Sequence, residues 1–252
     1  MKRRTFIGTA AAATIGIPAY RYARAYFEPL PDFEAIDDPV GFRRIAGGLY
    51  SASSNPWVGL DGPVAKPAPL ITESEVRDNI CGALYGQFET NSDVVPIASF
   101  SDYNCPYCRI LTKRLSELSA ELGPRLRIEW HELPLLGDAS LLSARAALAA
   151  KRQGAYVQFS ERLMTTAFQT TPEYLVALSD SIGVDQARLI SDMNGQGVQL
   201  EIDQTAALAR IFGFIGTPAM VIGRTVIQGL ISESSMRKII ELERKEGWTQ
   251  VC

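Results

Sequence analysis

Hydrophobic positions change their rhythm several times along this chain, and each change marks an element. Val94-Val95-Pro96-Ile97-Ala98-Ser99-Phe100 is a nearly unbroken apolar run closed by turn-forming residues, the pattern of a buried strand. Ile110, Leu111, Leu115, Leu118 and Leu122 then recur at helical spacing until Gly123-Pro124 stops them. A further apolar stretch, Leu126 to Leu133, predicts another strand, and strand–helix–strand with a right-handed crossover makes the two strands parallel. Upstream, Thr72-Glu73-Ser74-Glu75 is a capping box that opens a short helix, and Cys81 to Phe88 supplies the first strand. From Asp138 to Phe212 the chain is rich in alanine and leucine, with N-cap signals at Thr171 and Asp185 and no strand pattern, which predicts four or five helices. After Gly213, the run Phe214 to Arg224 reads as a strand entered through Pro218, and Thr225 to Gln228 forms a hairpin with it. A closing helix begins at Ser232, turns Met236, Ile239, Ile240 and Leu242 inward, and ends near Gly247. The fold class is α/β with a helical bundle inserted at about 138–212.

The two ends carry no such pattern of core elements. Residues 1–25 hold a basic front, Lys2-Arg3-Arg4, and a charge-free, alanine-rich run from Thr5 to Tyr20. Ala23-Arg24-Ala25 follows as a small-x-small cleavage pattern. The run is short for a bilayer span of about 20 apolar residues, so a cleaved export signal is expected, with an uncleaved anchor as the alternative. Arg3-Arg4-Thr5-Phe6-Ile7 resembles the twin-arginine motif. Residues 26–70 hold seven of the 14 prolines and no long periodic segment, the composition of a linker or extended coat. Phe42, Ile45, Trp57, Val58 and Leu60 are too apolar for pure disorder and predict that part of it docks on the domain, which is expected to span 71–252. The formal charge of −3 argues against a nucleic-acid surface. Without the five basic residues of the first 25, the remainder holds 20 basic against 28 acidic side chains.

Cys105-Pro106-Tyr107-Cys108 lies where a strand hands over to a helix. Unpaired N–H groups and the positive end of the helix dipole favour a thiolate there. Within Cys-X-X-Cys at such a position a thiol titrates between roughly 3.5 and 7.5. Pro106 suits the first helical turn and stiffens the pair. The alternatives are a zinc half-site and two inert thiols. Zinc requires further ligands, and the chain offers only His131, Cys81 and Cys252 besides. Cys81 and Cys252 bracket the domain. Export and an even cysteine count favour a second, structural disulfide between them, and a buried Cys81 with a free, frayed Cys252 is the alternative.

The order strand, Cys-Pro-Tyr-Cys, helix, strand, helical insertion, Gly-Thr-Pro, hairpin and helix resembles the DsbA-like branch of the thioredoxin superfamily. Asp102-Tyr103-Asn104-Cys105-Pro106-Tyr107-Cys108, Glu132-Leu133-Pro134-Leu135-Leu136-Gly137 and Gly216-Thr217-Pro218-Ala219 carry the resemblance. It implies a thioredoxin-like fold and an exported, periplasmic thiol–disulfide oxidoreductase, foremost a dithiol oxidase, with a reductase or isomerase as the alternative. A non-catalytic holdase chaperone is the competing class. Cys105 is then the exposed attacking thiol, Cys108 the resolving one, and Thr217-Pro218 a cis-proline loop facing them, with Pro106 and Tyr107 in the active-site loop. The implied partners are reduced or misoxidised exported proteins and a membrane redox protein, DsbB-like or DsbD-like; no metal, organic cofactor or nucleic acid is implied. Three residues depart from the pattern. Pro106-Tyr107 resembles glutaredoxins, and Thr217 resembles isomerases and reductases as much as oxidases. Ser99 stands where the family carries a buried acid; Glu129 or His131 on the neighbouring strand are the candidate substitutes, and a surface ion pair or a satisfied histidine is the favoured reading of them.

Overall fold

The computed structural model describes residues 29–52, 68–87, 93–166 and 170–252. At its centre every residue of one strand, Val95–Ser101, is buried. That strand, β3, is parallel to β4 (Leu126–Glu132) and antiparallel to β5 (Ala219–Ile222), and β5 makes a hairpin with β6 (Thr225–Gln228). The helix between β3 and β4 is α3 (Pro106–Leu122), whose buried face is Cys108, Leu111, Thr112, Leu115 and Leu118. The parallel pair and its crossover helix therefore form as the periodicity dictates.

Beyond β6 the sheet continues in a way the sequence pattern did not indicate. Two short strands, β1 (Phe33–Ala35) and β2 (Arg43–Ile45), complete the order β1-β2-β6-β5-β3-β4. Strand β2 runs parallel to β6 and β1 antiparallel to β2. The sheet thus begins at Phe33, inside the stretch expected as linker or coat. Arg43 fastens this addition: its guanidinium meets the buried Glu243 at 2.7 Å and Glu246 at 2.6 Å, and its Nε donates to Thr225 Oγ1. Glu243 lies inward on the closing helix, where Leu242, the expected inward residue, is only half-buried.

The predicted first strand is not a strand. Ile80–Tyr85 is a short helix, α2, preceded by α1 (Glu73–Asp78), and Phe88 lies outside the described residues. A short apolar run does not distinguish strand from buried helix by periodicity. Packing decides it: β2, not this segment, pairs with β6. Ala83, Leu84 and Tyr85 cover the face of the sheet instead, in one cluster with Phe100, Leu208 and Phe212. The Thr72–Glu75 capping box forms as read.

The insertion comprises five helices: α4 (Asp138–Lys151), α5 (Tyr156–Thr165), α6 (Pro172–Ser181), α7 (Gln186–Met193) and α8 (Gln196–Ile211). Thr171 and Asp185 cap α6 and α7 by accepting from the N–H three residues on. Ser232 does the same for α9 (Glu233–Glu246), which ends on Gly247 at a φ of 73°. Cys81 on α2 and Cys252 behind α9 are joined by a disulfide, with Cα atoms 5.5 Å apart, tying the two ends of the domain. Among the described residues no helix is long and apolar enough to cross a membrane, and the candidate export signal lies outside them.

Candidate active site

Cys105 is the N-cap of α3, in extended conformation, with Pro106 the first helical residue. Its sulfur does what a serine hydroxyl does at such a cap: the Cys108 N–H donates to Cys105 Sγ over 3.2 Å. On the other side the Cys105 thiol, when protonated, donates to the Thr217 carbonyl, also over 3.2 Å. Thr217-Pro218 is a cis peptide bond, so the loop expected to face the cysteines does so. Cys105 itself is not exposed as expected. Its relative exposure is 0%, whereas Pro106 is exposed and Tyr107 half-buried.

The two thiols are driven apart. Cys105 is lowered to about 6, chiefly by its hydrogen bond with Cys108, against the opposing cost of burial. The nearby Ser51 and Thr217 side chains lower it further. Burial pushes Cys108 far up, and the adjacent Cys105 adds to the effect. At neutral pH one sulfur is a thiolate and its neighbour, one turn deeper, keeps its proton.

Two buried acids frame the pair. Asp102 accepts from the N–H groups of Asn104, Leu135 and Leu136 and from the Ser140 hydroxyl, so it clamps the strand end before Cys105 to the turn after β4. Glu132, at the end of β4, accepts from Tyr103 Oη at 2.6 Å and from Tyr156 Oη at 2.7 Å, and its second oxygen is buried without a partner. Desolvation raises this carboxyl to about 7, with the two tyrosine hydroxyls opposing and Asp102 adding to the rise. Tyr103 shares an apolar cluster with Cys105 and Cys108.

Neither residue considered as a replacement acid does this. Glu129 is partly exposed and ion-paired with Lys151. His131 is buried with Nε2 bonded to the Leu84 carbonyl and its ring stacked on Phe100. At the position of the family's acid, Ser99 has a buried hydroxyl with no partner. Sequence reasoning passed over Glu132, although a signal was there: it follows Leu126, Ile128 and Trp130 at strand period, an acid on an apolar face.

Residues 96–241 match the DSBA-like thioredoxin domain. The chain belongs to that family. Among solved structures it is similar to a thioredoxin-like oxidoreductase from Silicibacter pomeroyi DSS-3. The two are 32% identical over 65% of this chain and 97% of the other, with a TM-score of 0.60. The thiol-disulfide exchange protein alpha-DsbA2 from Wolbachia pipientis shares the fold, with a TM-score of 0.58 at 22% identity, over 68% and 94% of the two chains. A curated relative of another kind is the Na(+)/H(+) antiporter NhaA of Herminiimonas arsenicoxydans, 25% identical over 80% of this chain but 31% of its own length. The chain spans less than a third of the length of the curated relatives it matches. Within the DSBA-like family, the strand–helix junction carrying Cys105 and Cys108 falls inside the matched residues.

Proposed function

We propose that this chain is an exported thiol–disulfide oxidoreductase that works through Cys105 and Cys108, foremost as a dithiol oxidase of periplasmic proteins. The observation that carries the reading is the split of the two thiols, Cys105 lowered to about 6 and Cys108 pushed far up, at one helix start. A substrate thiolate attacks Cys105 Sγ of the oxidised pair. The Cys105–Cys108 bond breaks, and Cys108 leaves and takes up a proton. The substrate's second thiol then attacks its own sulfur in the mixed disulfide and releases Cys105 as a thiolate. The substrate is oxidised by two electrons and the pair reduced. Stabilising the Cys105 thiolate stabilises the reduced pair, which favours the oxidase direction over the reductase or isomerase. A membrane redox protein resets the pair, and the Arg3-Arg4 signal delivers the chain to the oxidising compartment. Ion antiport belongs to a relative about three times as long as the matched segment; the present reading rests on the cysteines alone.

Equilibration of the Cys105–Cys108 pair with glutathione tests the direction. An oxidase gives a potential between about −120 and −180 mV, and a value near about −270 mV transfers the assignment to a reductase. Full function after Cys105→Ser removes thiol chemistry altogether and leaves a holdase.

A further inference from the structure

The main chain of Thr217, the residue that faces Cys105, is already paired. Ser51 N–H donates to the Thr217 carbonyl over 2.7 Å and Thr217 N–H donates to the Ser51 carbonyl over 2.8 Å, an antiparallel bridge. Two residues back Leu49 makes a second antiparallel bridge, to Leu230, whose N–H donates to the Leu49 carbonyl over 2.8 Å. Gly48 N–H reaches the Gln228 carbonyl over 2.9 Å. Residues 48–51 therefore lie as one segment held by isolated bridges to Leu230, after β6, and to Thr217, before β5 and facing Cys105. Ser51 N–H thus shares the Thr217 carbonyl with the Cys105 sulfur.

The seat for this strand is built for backbone. A Cβ on Gly48 would stand 1.8 Å from the Leu230 carbonyl oxygen, one on Gly216 2.4 Å from the Ser51 carbonyl oxygen, and one on Gly229 2.4 Å from the Gly48 carbonyl oxygen. The side chains contribute little: Leu49 is 64% exposed and Tyr50 39%. A segment held by a few main-chain hydrogen bonds and little apolar burial opens at low free energy. Yet it is paired with the residue that faces the only thiol poised to react.

We propose that Leu49–Ser51 is an internal stand-in for the substrate. The segment swings off the Thr217 edge when an extended cysteine-containing peptide takes its place, with the peptide's cysteine in the register of Ser51. The occupant so defined is an unfolded protein segment recognised through its backbone, since the edge offers N–H and C=O groups rather than a deep side-chain pocket. It also accounts for a reactive thiol being buried: Cys105 is shielded from stray oxidants and small thiols until a strand competes for Thr217. The proposal rests on the reading of Cys105 as the attacked sulfur.

Ser51→Pro tests it, because proline removes the N–H that the Thr217 carbonyl accepts. The measurement is the rate at which the oxidised full-length protein forms a mixed disulfide with an extended peptide carrying one cysteine, alongside its rate with glutathione. Loss of a main-chain hydrogen bond from the closed state is expected to raise the peptide rate about tenfold. If Ser51→Pro does not fold, Gly48→Val lifts the other end of the same segment and gives the same reading. Hydrogen exchange adds a readout that a fixed edge strand would not move. The Ser51 amide is expected to exchange faster than the amides of β3. A peptide with serine in place of cysteine should expose Ser51 further while Thr217 stays protected. A folded variant that exchanges with glutathione but shows no gain with the peptide overturns the stand-in while the oxidoreductase reading stands. So does a Ser51 amide as protected as β3. A protein inert to glutathione as well overturns both.

Discussion

Replacing Glu132 by glutamine isolates one buried carboxyl and has a calculable signature. In the folded protein this acid titrates at about 7 against an ordinary 4.5, because burial raises it more than Tyr103 and Tyr156 lower it. Below pH 4.5 the folded and unfolded chains both carry the proton. Between 4.5 and 7 the unfolded chain releases it and the folded chain retains it, so stability falls as pH rises through that window and levels off above it. A shift of that size, at 1.36 kcal/mol per pH unit, corresponds to about 3 kcal/mol. Glutamine has no proton to lose. Its Oε1 accepts from both tyrosines as the acid does, and its amide lies where the unpartnered second oxygen lies. The test is urea unfolding of parent and Glu132→Gln side by side from pH 4 to pH 8.5, with the Cys105–Cys108 pair kept oxidised so that neither thiol titrates. Any fixed cost of the amide cancels in the comparison. The variant is expected to gain about 3 kcal/mol on the parent between the two ends of that range. Two parallel curves would show that Glu132 is ionised in the native protein and that desolvation does not govern it.

Alkylation of the reduced protein is expected to label Cys105 with a midpoint near pH 6 and to leave Cys108 untouched; equal labelling, or a midpoint at the ordinary thiol value, refutes the capping interaction. Removing the disulfide as Cys81→Ser/Cys252→Ser opens a loop of sequence separation 171 and is expected to lower the melting temperature by on the order of 10 °C, with the Cys105 labelling rate unchanged. An unchanged melting temperature would mean that the bridge constrains nothing. Arg43→Ala strips the buried Glu243 of its closest cation, and a loss of about 3 kcal/mol is expected in denaturant unfolding. A loss below about 1 kcal/mol would show that Arg224 compensates.

What the chain determines locally is legible without coordinates. The caps at Thr72, Thr171, Asp185 and Ser232, the glycine at the end of α9 and the cysteine pair at the start of α3 each depend on residues within a turn of one another. In each the sequence contains both partners of the interaction. Buried β3 and the face of α3 are legible for the same reason, since a strand or helix writes its own period. The tertiary structure alone decided what depends on distant competition. Ile80–Tyr85 is a helix packed on the face of the sheet, and the place beside β6 goes to Arg43–Ile45 from far earlier in the chain. The acid near the cysteines is Glu132 because Tyr103, just before α3, and Tyr156, at the start of α5 in the insertion, meet over its carboxylate. The main chain of Thr217 is paired because Ser51 reaches it across a sequence separation no periodicity records. Burial and pairing depend on which distant segments pack against one surface, and they are settled only when the whole chain has packed.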